Sequence, residues 1–168
     1  MIDQLPYDKS LIYLFKNSNI SLSELEIASV AMLRYIYNEE LGFAVVHSQP
    51  CDPNILGLIS DFLLQVDKIR VCVVFNELPE GVKISIRSCV KDVNAAELAG
   101  FLCDSIGGGG GHYEKAGGYI NLTKYMEKNP SFNLDAYFNL KLIEYFNSFD
   151  IIDAKTYEAD ISYLYQAD

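Results

Sequence analysis

The sequence predicts an α/β domain: a mixed β-sheet of about four to five strands with helices packed on it, plus a C-terminal helical extension. Three observations predict it. The 168 residues amount to about one domain. Apolar segments follow one another in the order strand, helix, strand, strand, helix, strand. Nine of the 21 aromatic residues lie between Phe132 and Tyr165, so the tail is expected to pack on this domain or on a neighbour.

The elements follow in chain order. Residues 10–19 are a short apolar segment ending in polar turn residues, so 1–22 reads as a linker or packing arm. Ser23 and Glu26 form a capping box, and Ile27, Val30, Ala31, Leu33 and Ile36 recur at helical spacing, predicting an amphipathic helix over 23–37. Residues 41–47, LGFAVVH, are β-branched and aromatic and read as a strand. Prolines 50 and 53 punctuate the next loop. Ile55, Leu58, Ile59, Phe62 and Leu63 then mark a helical stripe. The continuous apolar run 71–75 predicts a strand buried on both faces. Residues 77–81 have the length of a hairpin connection. Over 82–88, Val82, Ile84 and Ile86 alternate with Lys83, Ser85 and Arg87, which predicts a half-exposed strand. Asn94 and Glu97 make a second capping box, and Ala95, Leu98, Ala99 and Leu102 give the buried stripe of a helix over 94–105. Five glycines at 107–111 precede His112, and 117–122 reads as a final strand. Asn133 is placed to cap a last helix whose apolar face is Leu134, Tyr137, Phe138, Leu142, Tyr145 and Phe149. The expected organisation is an arm over 1–22, a domain over 23–128 and an aromatic, acidic helical extension over 129–168. Aromatic residues continue to the last residues, YLYQAD, as expected of one piece of a longer protein.

Composition narrows the function. Half the residues are apolar and 21% charged, a globular balance that excludes a disordered tail, a collagenous fibre and a coiled coil. No apolar run approaches the roughly 20 residues a membrane span needs, and the N-terminus lacks a signal-peptide layout, so a cytoplasmic location is expected. A net charge of −10 argues against broad binding to nucleic-acid backbones but leaves room for a phosphate-sized pocket. Residues 129–168, with two basic and seven acidic side chains, are not expected to touch polyanions. Cys51, Cys72, Cys89 and Cys103 form no CxxC pair and read as reduced thiols. With two histidines, His47 and His112, neither at ligand spacing to a cysteine, no metal site is predicted in this chain.

The window 83–120 carries the chemistry. Glycine has no Cβ, so a run of five can turn its amides toward one point and form a nest for an anion. His112 follows directly and can donate to a phosphate oxygen. Arg87 offers a fork suited to bidentate phosphate contact, and Ser85 and Ser88 add hydroxyls. Taken singly, a glycine run reads as a linker, a lone histidine as exposed, and a strand arginine as a solvated charge. The combination in one window points to a terminal-phosphate pocket. The spacing fits neither a Walker P-loop nor a Rossmann fingerprint, in which strand and helix flank the glycines in the opposite order.

The order SxRS on a strand at 85–88, DVN opening a helix at 92–94, GGGGH at 108–112, then AxG and a strand resembles the DHH-associated domain. That domain is the C-terminal, substrate-binding half of DHH phosphoesterases, which include oligoribonucleases, phosphoadenosine-phosphate phosphatases, cyclic-dinucleotide phosphodiesterases and single-strand exonucleases. The resemblance covers roughly residues 23–122. It implies that Gly108, Gly109, Gly110, Gly111, His112 and Arg87 hold a phosphate or nucleotide end, with Ser85, Ser88 and Asn94 in the same ligand-binding set. Lys115 stands where the family shows a small residue; it reads either as a further phosphate ligand or as a surface cation. The family's catalytic half binds two manganese ions through Asp-His-His and other Asp-rich motifs. No DHH tripeptide occurs in this sequence, and Asp92 and Asp104 lack the needed partners.

The leading expectation is therefore a nucleotide-binding module that needs no cofactor of its own. It would hold a nucleotide, short single-stranded oligonucleotide or cyclic dinucleotide for a manganese-dependent DHH catalytic domain, in cis or in trans. The chain alone is then expected to be inactive. The alternative is a stand-alone nucleotide-sensing or protein-interaction domain. Catalysis by His112 within this chain ranks below both, because no orienting carboxylate stands at a convincing spacing. The oligomeric state is left open, a homo-oligomer included.

Overall fold

The computed structural model describes residues 20–131 and 133–148. Eleven elements follow one another: α1 (Leu22–Met32), β1 (Ile36–Asn38), β2 (Phe43–Ser48), α2 (Pro53–Leu63), β3 (Val71–Leu78), β4 (Gly81–Ser88), α3 (Ala95–Cys103), β5 (Gly107–Gly111), β6 (Lys115–Asn121), α4 (Leu122–Lys128) and α5 (Leu134–Ser148). The fold is the expected mixed α/β, with six strands in the order β1-β2-β3-β4-β6-β5 rather than four to five. The additions are the three-residue β1 and the glycine strand β5. β2 and β3 run parallel around α2, and every other neighbouring pair is antiparallel. The expected linker or arm over 10–19 and the aromatic tail beyond residue 148 lie outside the described residues.

Strand alternation sorts the core into two layers. Ala44, Val46, Cys72 and Val74 face α1 and α2. Phe43, Val45, Val73, Phe75, Val82, Ile84, Ile86 and Ile120 face α3, α4 and α5. On that second side, Phe43 stacks on Phe146 at 5.6 Å and Phe75 meets Phe138 at 4.4 Å between ring centroids. Tyr137 Oη donates to the Leu102 carbonyl at 2.9 Å, and burial holds its phenol well above the usual tyrosine range. The helical extension thus packs on this domain's own sheet. Asn133 accepts from the Ala136 amide at 2.8 Å, as the cap reading predicted. Phe149 of the predicted face lies outside the described residues, and Phe146 is the buried aromatic one turn earlier.

Several boundaries differ from expectation. The cap of α1 lies two residues earlier, because Ser21 and Glu24 form the capping box in place of Ser23 and Glu26: Ser21 Oγ accepts from the Glu24 amide at 3.3 Å, and the Ser21 amide donates to Glu24 Oε2 at 2.7 Å. Of the predicted stripe the helix buries only Ala31, together with the small Ala28, and half-buries Ile27; Leu33 is 84% exposed, and Val30 and Ile36 are exposed as well. Ile36 instead opens β1, where pairing with Val45 of β2 overrides helical periodicity. On α2, Ile55, Ile59 and Leu63 are buried as expected, but Leu58 and Phe62 stay exposed. The hairpin after β3 shortens to Pro79 and Glu80, with Leu78 opposite Gly81. β4 is not half-exposed: α2 covers its polar face, leaving Ser85 buried and Arg87 partly so. No described helix is long and apolar enough to cross a membrane.

Candidate functional site

Register across β4, β6 and β5 assembles the site. On the face that carries α2 over the inner strands, Lys83, Tyr119 and Gly108 form one row, and Ser85, Gly117 and Gly110 the next. Arg87 lies opposite Lys115, and the His112 amide donates to the Lys115 carbonyl at 2.8 Å, so His112 ends the same row. Three chemistries separated by 25 residues of sequence are thereby lined up by pairing alone. α2 flanks the rows, and between it and the strands runs an open groove of about 480 Å³ lined by Gly57, Leu58, Asp61, Ser85, Arg87 and Gly117.

The five glycines do not form the predicted nest. They make an extended edge strand, β5, in which successive amides point to opposite sides. Ladder bonds at Ile106 with Asn121 and at His112 with Lys115 bracket the strand, so Gly108 and Gly110 bond to β6 while Gly107, Gly109 and Gly111 turn their amides to the outer edge. The physical reason is the antiparallel partner: once β6 pairs with the run, its amides diverge instead of converging. The glycines also serve different neighbours on the two faces. A Cβ at Gly109 would run into the Ala99 carbonyl of α3, and Gly111 has φ +153°, which strongly favours glycine. At Gly108 and Gly110 a Cβ would meet nothing within 4 Å.

Arg87 is held firmly. Its Nε donates to Asp61 Oδ1 at 2.6 Å, and its Nη1 donates to Ser85 Oγ at 3.1 Å and to the Ile86 carbonyl at 3.0 Å. Ser85 Oγ also pairs with Ser60 Oγ of α2 at 3.1 Å. The Arg87 side chain is 15% exposed, so its charge is oriented but still reaches the groove. Lys115 Nζ lies 3.6 Å from the same Asp61 oxygen. His112 is exposed beside them. Cys72 sits opposite Arg87 in β3; burial pushes its thiol up to about 12, against the pull of the Arg87 charge.

Two predicted residues lie apart from this cluster. Ser88 alternates to the other side of β4 and donates to the Val90 carbonyl at 3.2 Å. Asn94 caps α3, accepting from the Ala96 amide at 2.9 Å, while its Nδ2 donates to Glu97. Asp61 is the residue that sequence reasoning missed. Its signal is helical: Asn54, Gly57, Leu58 and Asp61 recur every three or four residues and share the α2 flank that lines the groove. Among the described residues no group of three or more His, Cys, Asp or Glu side chains is placed to hold a metal ion. All four cysteines are free.

Fold and site together define a mixed-sheet α/β domain with a cationic row beside a bare backbone face. A family model described as the DHHA1 domain matches residues 38–132, and the chain belongs to that family. No curated protein matches it. Among solved structures, an exopolyphosphatase-related protein from Bacteroides fragilis is similar with a TM-score of 0.62 and 19% identity over 86% of this chain. The match takes in 41% of that protein, so this chain spans about two fifths of its length. The C-Ala domain of Aquifex aeolicus alanyl-tRNA synthetase matches 60% of this chain and 90% of its own at a TM-score of 0.45 and 25% identity. A pGpG-specific phosphodiesterase from Vibrio cholerae matches 88% of this chain and 45% of its own at a TM-score of 0.43 and 13% identity.

Proposed function

We propose that this domain anchors the phosphate of a nucleotide or short single-stranded oligonucleotide, for hydrolysis by a DHH-type manganese-dependent domain in cis or in trans. One observation carries the reading: pairing of β4, β6 and β5 puts Arg87, Lys115 and His112 in a single row, next to the side-chain-free strip of Gly110 and Gly117, with Arg87 and Gly117 lining the groove. An oxyanion there would meet a guanidinium, an ammonium and an imidazole, with the Asp61 carboxylate between the first two. The role is positional. Binding energy at the non-reacting end would hold the scissile bond at a remote metal centre. Residues Leu58 and Phe62, exposed one helical turn apart on α2 beside the groove, support a protein surface closing over it.

Titration of the chain with AMP and with short oligoadenylates, followed by amide NMR, tests the proposal. Shifts centred on Gly110, His112, Lys115 and Gly117 are expected, and Arg87→Ala should weaken binding about tenfold or more, the scale of one charge-assisted contact. Shifts confined to other surfaces, or equal affinity in Arg87→Ala, would refute it. The chain incubated with Mn²⁺ and dinucleotides is expected to show no turnover.

A further inference from the structure

Asp61 is a carboxylate inside a surface proposed to bind anions, and the fold does not hide it. One of its oxygens lies 2.6 Å from Arg87 Nε and 3.6 Å from Lys115 Nζ, the position between two cations that a ligand oxygen would take. Its side chain is 47% exposed and lines the groove, so it stands within the field any ligand there would feel. We infer that Asp61 is a charge filter, lowering the preference of the site for a doubly charged terminal phosphate relative to a singly charged phosphodiester. The inference deepens the proposed phosphate-anchoring function and rests on it.

The argument is Coulombic. Arg87 and Lys115 bring two positive charges to the row, and Asp61 offsets one of them, which halves the attraction that a dianion feels more strongly than a monoanion. Repulsion from Asp61 scales with ligand charge, so a dianion suffers it twice over. At a half-exposed position one such pair interaction is worth about fivefold in affinity. Removing the charge should then strengthen binding of a monoanion about fivefold and of a dianion about 25-fold, which moves the ratio between them about fivefold. Merely orienting Arg87 would leave a different mark. Losing that orientation would weaken both ligands together and leave the ratio in place.

Asp61→Asn separates the two roles, because the amide keeps an oxygen able to accept from Arg87 Nε. The 168-residue chain and the variant would be titrated calorimetrically, at about pH 7.5, with AMP, a dianion at that pH, and with the dinucleoside monophosphate ApA, a monoanion. A shift of the AMP-to-ApA affinity ratio toward AMP is expected, and Asp61→Ser, which drops the charge with a shorter side chain, must shift it in the same direction. An unchanged ratio, or a parallel loss for both ligands, overturns the filter while leaving the anchoring function standing. Absence of binding by the wild-type chain, with Arg87→Ala no different, overturns both.

Discussion

On one face of the β6–β5 pair, α3 sits so close that a methyl group at Gly109 would run into the Ala99 carbonyl; on the other, a methyl at Gly108 or Gly110 would meet nothing within 4 Å. The same run of residues thus serves two masters by strand alternation. Toward α3 the missing side chains let a helix approach the sheet, and Gly118 of β6, where a Cβ would lie 2.6 Å from Cys103 Sγ, obeys the same constraint. Toward the groove the fold demands nothing, yet glycine in a strand costs roughly 0.5–1 kcal/mol relative to alanine. The sealed face is accounted for by packing; the bare face is where the proposed ligand would approach the backbone.

The largest expected effect lies deep in the sealed layer. Phe138, fully buried against Phe75, anchors α5 to that layer, and Phe138→Ala should destabilise the chain by about 3–5 kcal/mol in urea unfolding. A loss under 1 kcal/mol would mean that α5 adds little to the sealed layer. Next comes Gly109→Ala, expected to cost about 1–3 kcal/mol because α3 or β5 must shift to admit the methyl group. If Gly109→Ala proves neutral, the comparison between the faces fails at its first term.

Alkaline unfolding compares the two core layers. Burial raises Cys72, on the α2 side, to about 12, and Cys103, on the α3 side, to about 11, both from an ordinary value of 9.0. The folded state keeps its protons where the unfolded state releases them. Stability is therefore fully present below about pH 9 and is lost as pH rises from there through 11 for Cys103 and 12 for Cys72. Each thiol contributes a slope of about 1 kcal/mol per pH unit in that window. Denaturation at pH values from 8 to 11 should show the decline, and Cys72→Ala should flatten it relative to wild type; an identical slope would show that the thiol ionises in place.

Much of this fold was legible because period and packing agreed. The α5 stripe from Leu134 to Tyr145 reads directly as a helix face, and the Asn94 cap with Ala95, Leu98, Ala99 and Leu102 gives α3 almost whole. α1 was misread because larger residues, Val30 and Leu33, marked a stripe while the real contact uses Ala28 and Ala31: where helix and sheet come close, size and not hydrophobicity selects the buried face. Ser85 and Arg87 stood out as candidates from motif spacing and Lys115 was open between ligand and surface cation, but the juxtaposition of the three is a fact of register, which sequence spacing does not contain. The glycine run was legible as special and not as a strand, because five residues without side chains offer no alternation to read. Asp61 was out of reach for a related reason. Its partner Arg87 is 26 residues away, and only the docking of α2 on β4 unites them.

The smallest expected effect is the most discriminating. Gly110→Ala adds a methyl group to open space on the bare face, at a backbone conformation outside the left-handed region. By reducing the freedom of the unfolded chain it should stabilise the fold, by about 0.4–1 kcal/mol. The same methyl would stand in the strip between Ser85, Gly117 and the edge, where the proposed ligand would reach the backbone. The variant is therefore expected to melt higher and to bind AMP more weakly, a combination that general damage to the fold does not produce. Thermal melts and calorimetric titration on the same samples read both quantities. Should Gly110→Ala melt higher and bind AMP as tightly as the parent chain, the bare face would not be where the ligand comes down, and the glycine at 110 would be left without an explanation in ligand approach.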